Sequence, residues 1–228
     1  MQLRFLSSRN LHFAAYIFSL LFLITLSGCL TSQKMDVYVA ERYGNQLPKP
    51  ARKKSDIAIQ SELSTGDKKI SHTVKKTSHL LPLIVYWQCD YRHTCTLNSD
   101  IALTTIANNI NAQSAKINQK LNGQHLELTI ENVPTAFSIV DKEHLFLMIL
   151  WAHVYVEPEN KDLVVSYKLF KDEAVAKTGT ITINNPAHNR NVRFFQSWKS
   201  SSSEFLSSYD ADLAAMTKDL VKKLTDEL

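Results

Sequence analysis

The stretch HLFLMILWAHVYVEPENKDLVVSYKLFKDEAVAKTGTITIN (His144 to Asn184) decides the fold. Apolar and β-branched residues dominate it, and Pro158-Glu159-Asn160-Lys161 and Asp172-Glu173 interrupt it. It therefore reads as three strands, over 144–156, 162–171 and 175–183, joined by short turns. In the first of them Leu145, Leu147, Ile149 and Trp151 alternate with Phe146, Met148 and Leu150, so both faces call for cover.

Outward from this block, HLELTIE (His125 to Glu131) sets Leu126, Leu128 and Ile130 against polar neighbours, which is a half-buried strand. Before it, LNSDIALTTIANNINAQSAKINQKLNG places Leu103, Ile106, Ile110, Ile117 and Leu121 on one helical face. Asn98 or Ser99 is available as its N-cap and Gly123 as its stop. LLPLIVYWQ (Leu80 to Gln88) reads as a further buried strand. After the block, the polar loop NPAHNRNVRFFQSWKSSSS precedes a last amphipathic helix near Glu204 to Asp226, with Tyr209, Leu213, Met216, Leu220 and Leu224 as its stripe. The order strand, helix, four strands, helix predicts an α+β fold: a mainly antiparallel sheet of about five strands with two helices packed on one face. The other face is covered by the loop or by the segment before residue 80, or else it is a partner or ligand surface to which Phe194, Phe195 and Trp198 contribute.

The chain has 228 residues, 44% of them hydrophobic, the composition of one globular domain with appendages. Charge is unevenly placed. Residues 49–76 carry eight basic and three acidic side chains, net +5, whereas 77–228 carry 14 basic and 17 acidic, net −3. The predicted organisation is a signal over 1–28, a polar, basic linker over 29–79 and a single α+β domain over 80–228. Within the linker, Met35 to Leu47 is a candidate for a short ordered piece. The basic residues make either a solvated spacer or a contact for anionic headgroups or glycans.

The first 28 residues hold Arg4 and Arg9, no acid, and the run Leu11 to Gly28, which is uncharged when His12 is neutral, as in a secretory signal; an uncleaved transmembrane anchor is the rival. Leu26-Ser27-Gly28-Cys29 resembles the lipobox of bacterial lipoproteins at all four positions. The resemblance implies cleavage before Cys29, diacylglyceryl attachment to its sulfur and acylation (palmitate) of the new amino group. Several acyl chains hold a protein stably at a bilayer. Leu30 follows where an inner-membrane retention signal usually has Asp, so the pattern implies the outer membrane of the cell envelope.

Once Cys29 is acylated, Cys89 and Cys95 remain, and an even pair in an oxidising compartment predicts a disulfide. A bridge closing about seven residues contributes roughly 2 to 2.5 kcal/mol. The alternative uses His93 with both cysteines as metal ligands, but no further Cys/His pair has finger-like spacing, so no metal is expected. Neither a Gly-X-Ser-X-Gly elbow nor a His-Glu-X-X-His helix nor a phosphate-cradling loop occurs, and no catalytic residue or cofactor is assigned. Asp210 and Asp212 read as residues that favour a helix start.

Across residues 80–228 the element order is similar to that of small envelope lipoproteins that assist transport machines, such as the lipopolysaccharide-assembly lipoprotein and auxiliary lipoproteins of lipid-trafficking ABC systems. That resemblance implies a non-enzymatic binding or scaffolding accessory with a protein partner in the envelope and no nucleic-acid role. The rival classes are a hydrolase built from scattered residues such as His93, His153, Asp141 and Ser138, and a small-molecule or lipid carrier.

Overall fold

The structure is a computed structural model that describes residues 30–44, 57–63, 71–81, 86–146 and 149–228. The described residues form four helices and nine strands, in the order α1 (Ser32–Gly44), β1 (Ile57–Ser61), β2 (His72–Leu81), β3 (Tyr86–Thr96), α2 (Ser99–Ala112), α3 (Ser114–Leu121), β4 (His125–Asn132), β5 (Ala136–Phe146), β6 (Ile149–Pro158), β7 (Leu163–Lys171), β8 (Ala174–Ile183), β9 (Arg190–Asn191) and α4 (Trp198–Glu227). The fold is α+β. Its strands make two sheets rather than one: a four-stranded sheet ordered β1-β4-β7-β8 and a five-stranded sheet ordered β2-β3-β5-β6-β9. Only the β1–β4 pair is parallel.

Local chemistry accounts for the expected elements. Asn98 caps α2, its side chain accepting from the Asp100 amide. The single helix expected over 98–123 is broken at Gln113 into α2 and α3, yet Ile106, Ile110, Ile117 and Leu121 are all buried. Asn122 and Gly123 take positive φ (46° and 84°) and end α3 in the left-handed conformation that stops helices. The last helix starts earlier than expected, at Trp198 behind the Ser197 cap. Asp210 and Asp212 therefore lie mid-helix, not at its start, and Asp210 accepts from the Tyr43 hydroxyl at 3.1 Å.

The stretch expected to be a polar linker contributes three elements. Met35, Val39 and Tyr43, four residues apart on one side of α1, are buried in the common core, as is Ile57 of β1. Arg42 donates to Ser203 and Ser207 of α4, 2.9 Å each. β2 forms the edge of the five-stranded sheet, and its residues 72–78 are exposed, which explains its lack of apolar alternation.

Two expected strands turn out to be halves of hairpins. β5 ends at Phe146 and β6 begins at Ile149, with Phe146 paired to Ile149 and Leu145 to Leu150. The chain reverses there, so Ile149 and Trp151 share a face with Phe146, while Leu145 shares the opposite face with Leu150. The strand expected over Leu80 to Gln88 likewise divides between β2 and β3, and residues 82–85 lie outside the described residues, as do Leu147 and Met148.

One core joins both sheets, and α4, at 30 residues about 45 Å long, runs along it. Near its start Phe205 stacks on Phe137 of β5 (centroids 4.5 Å apart), and Tyr209 donates to the Pro134 carbonyl at 2.8 Å. Near its end Glu227 accepts from Tyr167 of β7 at 2.7 Å, and Lys223 donates to the Thr182 carbonyl of β8 at 2.9 Å. The Tyr167 ring lies over Gly179 of β8, where a Cβ would come within 2.6 Å of it. No helix among the described residues is long and apolar enough to cross a membrane.

Candidate functional site

The five-stranded sheet carries most of the singled-out residues, and its pleat decides which of them meet. The face bearing Cys95, Phe137, Ile139 and Val156 is the inner one, buried in the core. Cys89, Tyr91 and His93 point to the same side of β3. Cys89 and Cys95 are both free and buried. Six residues apart on an extended strand, their Cα atoms stand about 20 Å from each other, against the roughly 7 Å that a disulfide spans. The expected Cys89–Cys95 bridge does not form: residues 86–96 are strand throughout, where the expectation required a turn.

Each of these groups has its own partner. The Cys95 thiol donates to Asp36 of α1 at 3.4 Å, and Ser71 also donates to Asp36 while accepting from the Thr96 amide. Burial, then the Asp36 carboxylate, pushes the Cys95 thiol up to about 12. His93 Nδ1 lies 3.0 Å from Thr73 Oγ1, and burial lowers its pKa. Cys89 Sγ is 3.6 Å from Thr77 Oγ1. Three donors strung along one strand and separately engaged do not make a metal site.

The scattered residues of the hydrolase reading are not brought together. Ser138 and Asp141 are three apart on β5 and so point to opposite faces. Ser138 shares a 2.9 Å hydrogen bond with Thr94 on the outer face, while Asp141 lies on the inner face opposite Tyr91. His153, also outer, is held 3.1 Å from Asn191 Oδ1. Asp141 Oδ1 has no hydrogen-bond partner among the described residues, and burial followed by the Glu143 carboxylate raises its pKa.

Three features had no sequence motif or only a partial one. A cleft of about 620 Å³ opens on the outer face at the base of the sheet, lined by His72, Arg92, Thr94, Ser138, Glu157 and Glu159. The Arg92–Glu157 ion pair sits in its wall. Four strands build this recess, whose lining also includes Phe137 and Pro158, so no contiguous stretch could reveal it. Comparison of the chain with family models, curated proteins and solved structures found no match. The functional reading therefore rests on the geometry and on the sequence itself.

The second feature is the loop before α4. Val192 donates to the Val154 carbonyl (2.9 Å), Arg193 to Gln196 Oε1 (3.0 Å), and Gln196 back to the Arg193 carbonyl (2.9 Å). Phe195 takes φ 67°, and the pinned turn presents Phe194 and Phe195 at 88% and 96% exposure, their rings 4.3 Å apart. Trp198, grouped with them in the sequence, is instead half-buried and packs edge-on against Tyr38 of α1 at 5.7 Å. The third feature is the far end of the sheet, where Phe146, Ile149, Leu150 and Trp151 are 47%, 56%, 59% and 52% exposed. The sequence pattern flagged their stretch as short of cover; it did not place them at one end of the sheet. Cys29 lies outside the described residues.

Proposed function

We propose that this chain is a lipid-anchored protein of the bacterial cell envelope, outer membrane in preference to inner, acylated at Cys29. Its α+β body binds or scaffolds a protein partner of an outer-membrane assembly or transport system and carries out no catalysis of its own. The observation that carries the binding role is the Phe194–Phe195 pair. Two adjacent phenylalanines almost wholly in water cost about 25 cal/mol for each Å² of apolar surface left unburied. The hydrogen bonds of the turn hold them there instead of letting them fold back. Large aromatics on a preorganised support are the residues that dominate protein interfaces. The anchoring role is supported by Leu26-Ser27-Gly28-Cys29 behind an uncharged run.

Two experiments separate the halves of this reading. Globomycin or Cys29→Ser should stop processing and shift the precursor's membrane fractionation; unchanged processing under both removes the anchor. A photo-crosslinking amino acid at position 194, introduced into intact cells, should capture one discrete envelope protein, and Phe195→Asp should abolish that adduct. Capture of nothing, or of an adduct indifferent to Phe195→Asp, removes the partner surface.

A further inference from the structure

We infer that the far end of the arm formed by β2, β3, β5 and β6 enters the bilayer that holds Cys29, to the depth of the headgroup and acyl-chain boundary. The inference deepens the lipid-anchor reading, on which it rests for orientation. Residues change character in order along the arm, as the cross-strand pairs show. The last row is Leu81, Tyr86, Phe146 and Ile149; in the next, Trp87, Leu145 and Leu150 lie on the inner face and Trp87 pairs with His79 of the edge strand. Then come Gln88, His144 and Trp151, and two residues further back Lys76, Asp90, Lys142 and His153 form a charged row.

Apart from His79 on the edge strand, the two end rows are apolar or aromatic on both faces. A sheet against one protein partner needs only one apolar face, whereas a wedge in an apolar medium needs two. From Trp151 to the Phe146–Ile149 row is two residues, about 7 Å, within the 5–10 Å to which interfacial elements sink. Trp151 stands at the border and Lys76 and Lys142 behind it, as side chains sort at a membrane surface, while Tyr86 lies in the last row itself. The chain that connects β2 to β3, Pro82 to Val85, and the pair that connects β5 to β6, Leu147 and Met148, contain no polar side chain. Hairpin connections are ordinarily rich in Gly, Asn, Asp and Ser.

The position of the anchor gives the direction. Asp36 of α1 meets Ser71 and Cys95, whereas Ser32 meets Thr73, the partner of His93. Going towards the start of α1 therefore moves along the arm towards its apolar end. Cys29 is three residues before Ser32 and within about 10 Å of it, whereas the charged row is three residues beyond the His93 row, also about 10 Å. Chain reach alone therefore allows an acyl group on Cys29 to share the bilayer that the apolar end enters.

The test uses the full chain with Trp198→Phe, which leaves Trp87 and Trp151 as its only tryptophans. The protein is purified with its acyl groups and reconstituted into phosphatidylethanolamine–phosphatidylglycerol vesicles whose acyl chains carry bromine near the headgroup end. Mass spectrometry of the Cys29 peptide reads acylation on the same sample. Roughly twofold quenching is expected, weaker when the bromine sits at the bilayer centre, as shallow insertion requires. The variant Ile149→Asp with Leu150→Asp, whose circular dichroism should be unchanged because both side chains are exposed, should stay acylated and vesicle-bound and lose most of the quenching. Acylated, vesicle-bound protein without quenching overturns the inference and leaves the anchor reading standing. Quenching without acylation keeps the entry of the arm's end into a bilayer and overturns the anchor together with the orientation taken from it. Arm-to-arm crosslinks with unquenched tryptophans would assign the end to a second copy of the chain and overturn the membrane role.

Discussion

Cys95 sits where burial and the Asp36 carboxylate, 3.4 Å from its sulfur, both disfavour a thiolate. Its ionisation is pushed from 9.0 to about 12, so between those values the unfolded chain releases a proton that the native chain keeps. The unfolded state then binds fewer protons, and stability falls as pH rises through that window. Cys95→Ser keeps a hydroxyl donor for Asp36 and removes the ionisation. The urea midpoint of the parent should drop from pH 9 upward, and the serine variant should flatten that drop. Thiol titration gives a second check. Cys89 and Cys95 should be unreactive to an aromatic disulfide reagent in the native state and both reactive after denaturation without reductant. A disulfide would leave both silent. The count of cysteines was legible in the sequence, but their geometry was not, because a pleated strand sends residues 89 and 95 to the same face and keeps them apart.

At the scale of elements, α1 is the piece whose role the sequence understated. Its three buried apolar residues, Met35, Val39 and Tyr43, lie among Lys34, Asp36, Glu41 and Arg42, so the apolar side of the helix is too narrow to stand out from the polar chain around it. A spacer would tolerate Met35→Ala freely. In a closed core the same change should lower the unfolding free energy by about 2 to 5 kcal/mol, read by urea denaturation of the purified protein. Elements with a full amphipathic period were legible: β4, β7 and β8 came within about a residue of their places, and α4 ends where expected but starts six residues earlier. The β5–β6 hairpin was not, since Phe146-Leu147-Met148-Ile149 holds no turn-forming residue and its alternation reads as one strand. The exposed phenylalanine pair could be picked out as two aromatics in a polar loop. The outer cleft could not, since its walls come from β2, β3, β5 and β6.

For the whole molecule, two sheets would ordinarily raise the expectation of two unfolding steps. A single buried cluster and a helix that touches both sheets argue for one. Tryptophan fluorescence reports the five-stranded sheet and the start of α4, where Trp87, Trp151 and Trp198 lie, while far-UV circular dichroism reports every element. The two urea curves should coincide. A fluorescence transition that precedes the loss of ellipticity would show that the five-stranded sheet opens alone.

Arg42 and Tyr43 of the first helix find their partners on the last one, 161 to 167 residues later in the chain. Closure of so long a loop is slow, and little of it can begin before the partner exists. A chain delivered N-terminus first to the far side of a membrane would therefore stay open until its final helix arrived. Delay before that moment is useful to a protein that has to be threaded, and the order of synthesis itself provides it.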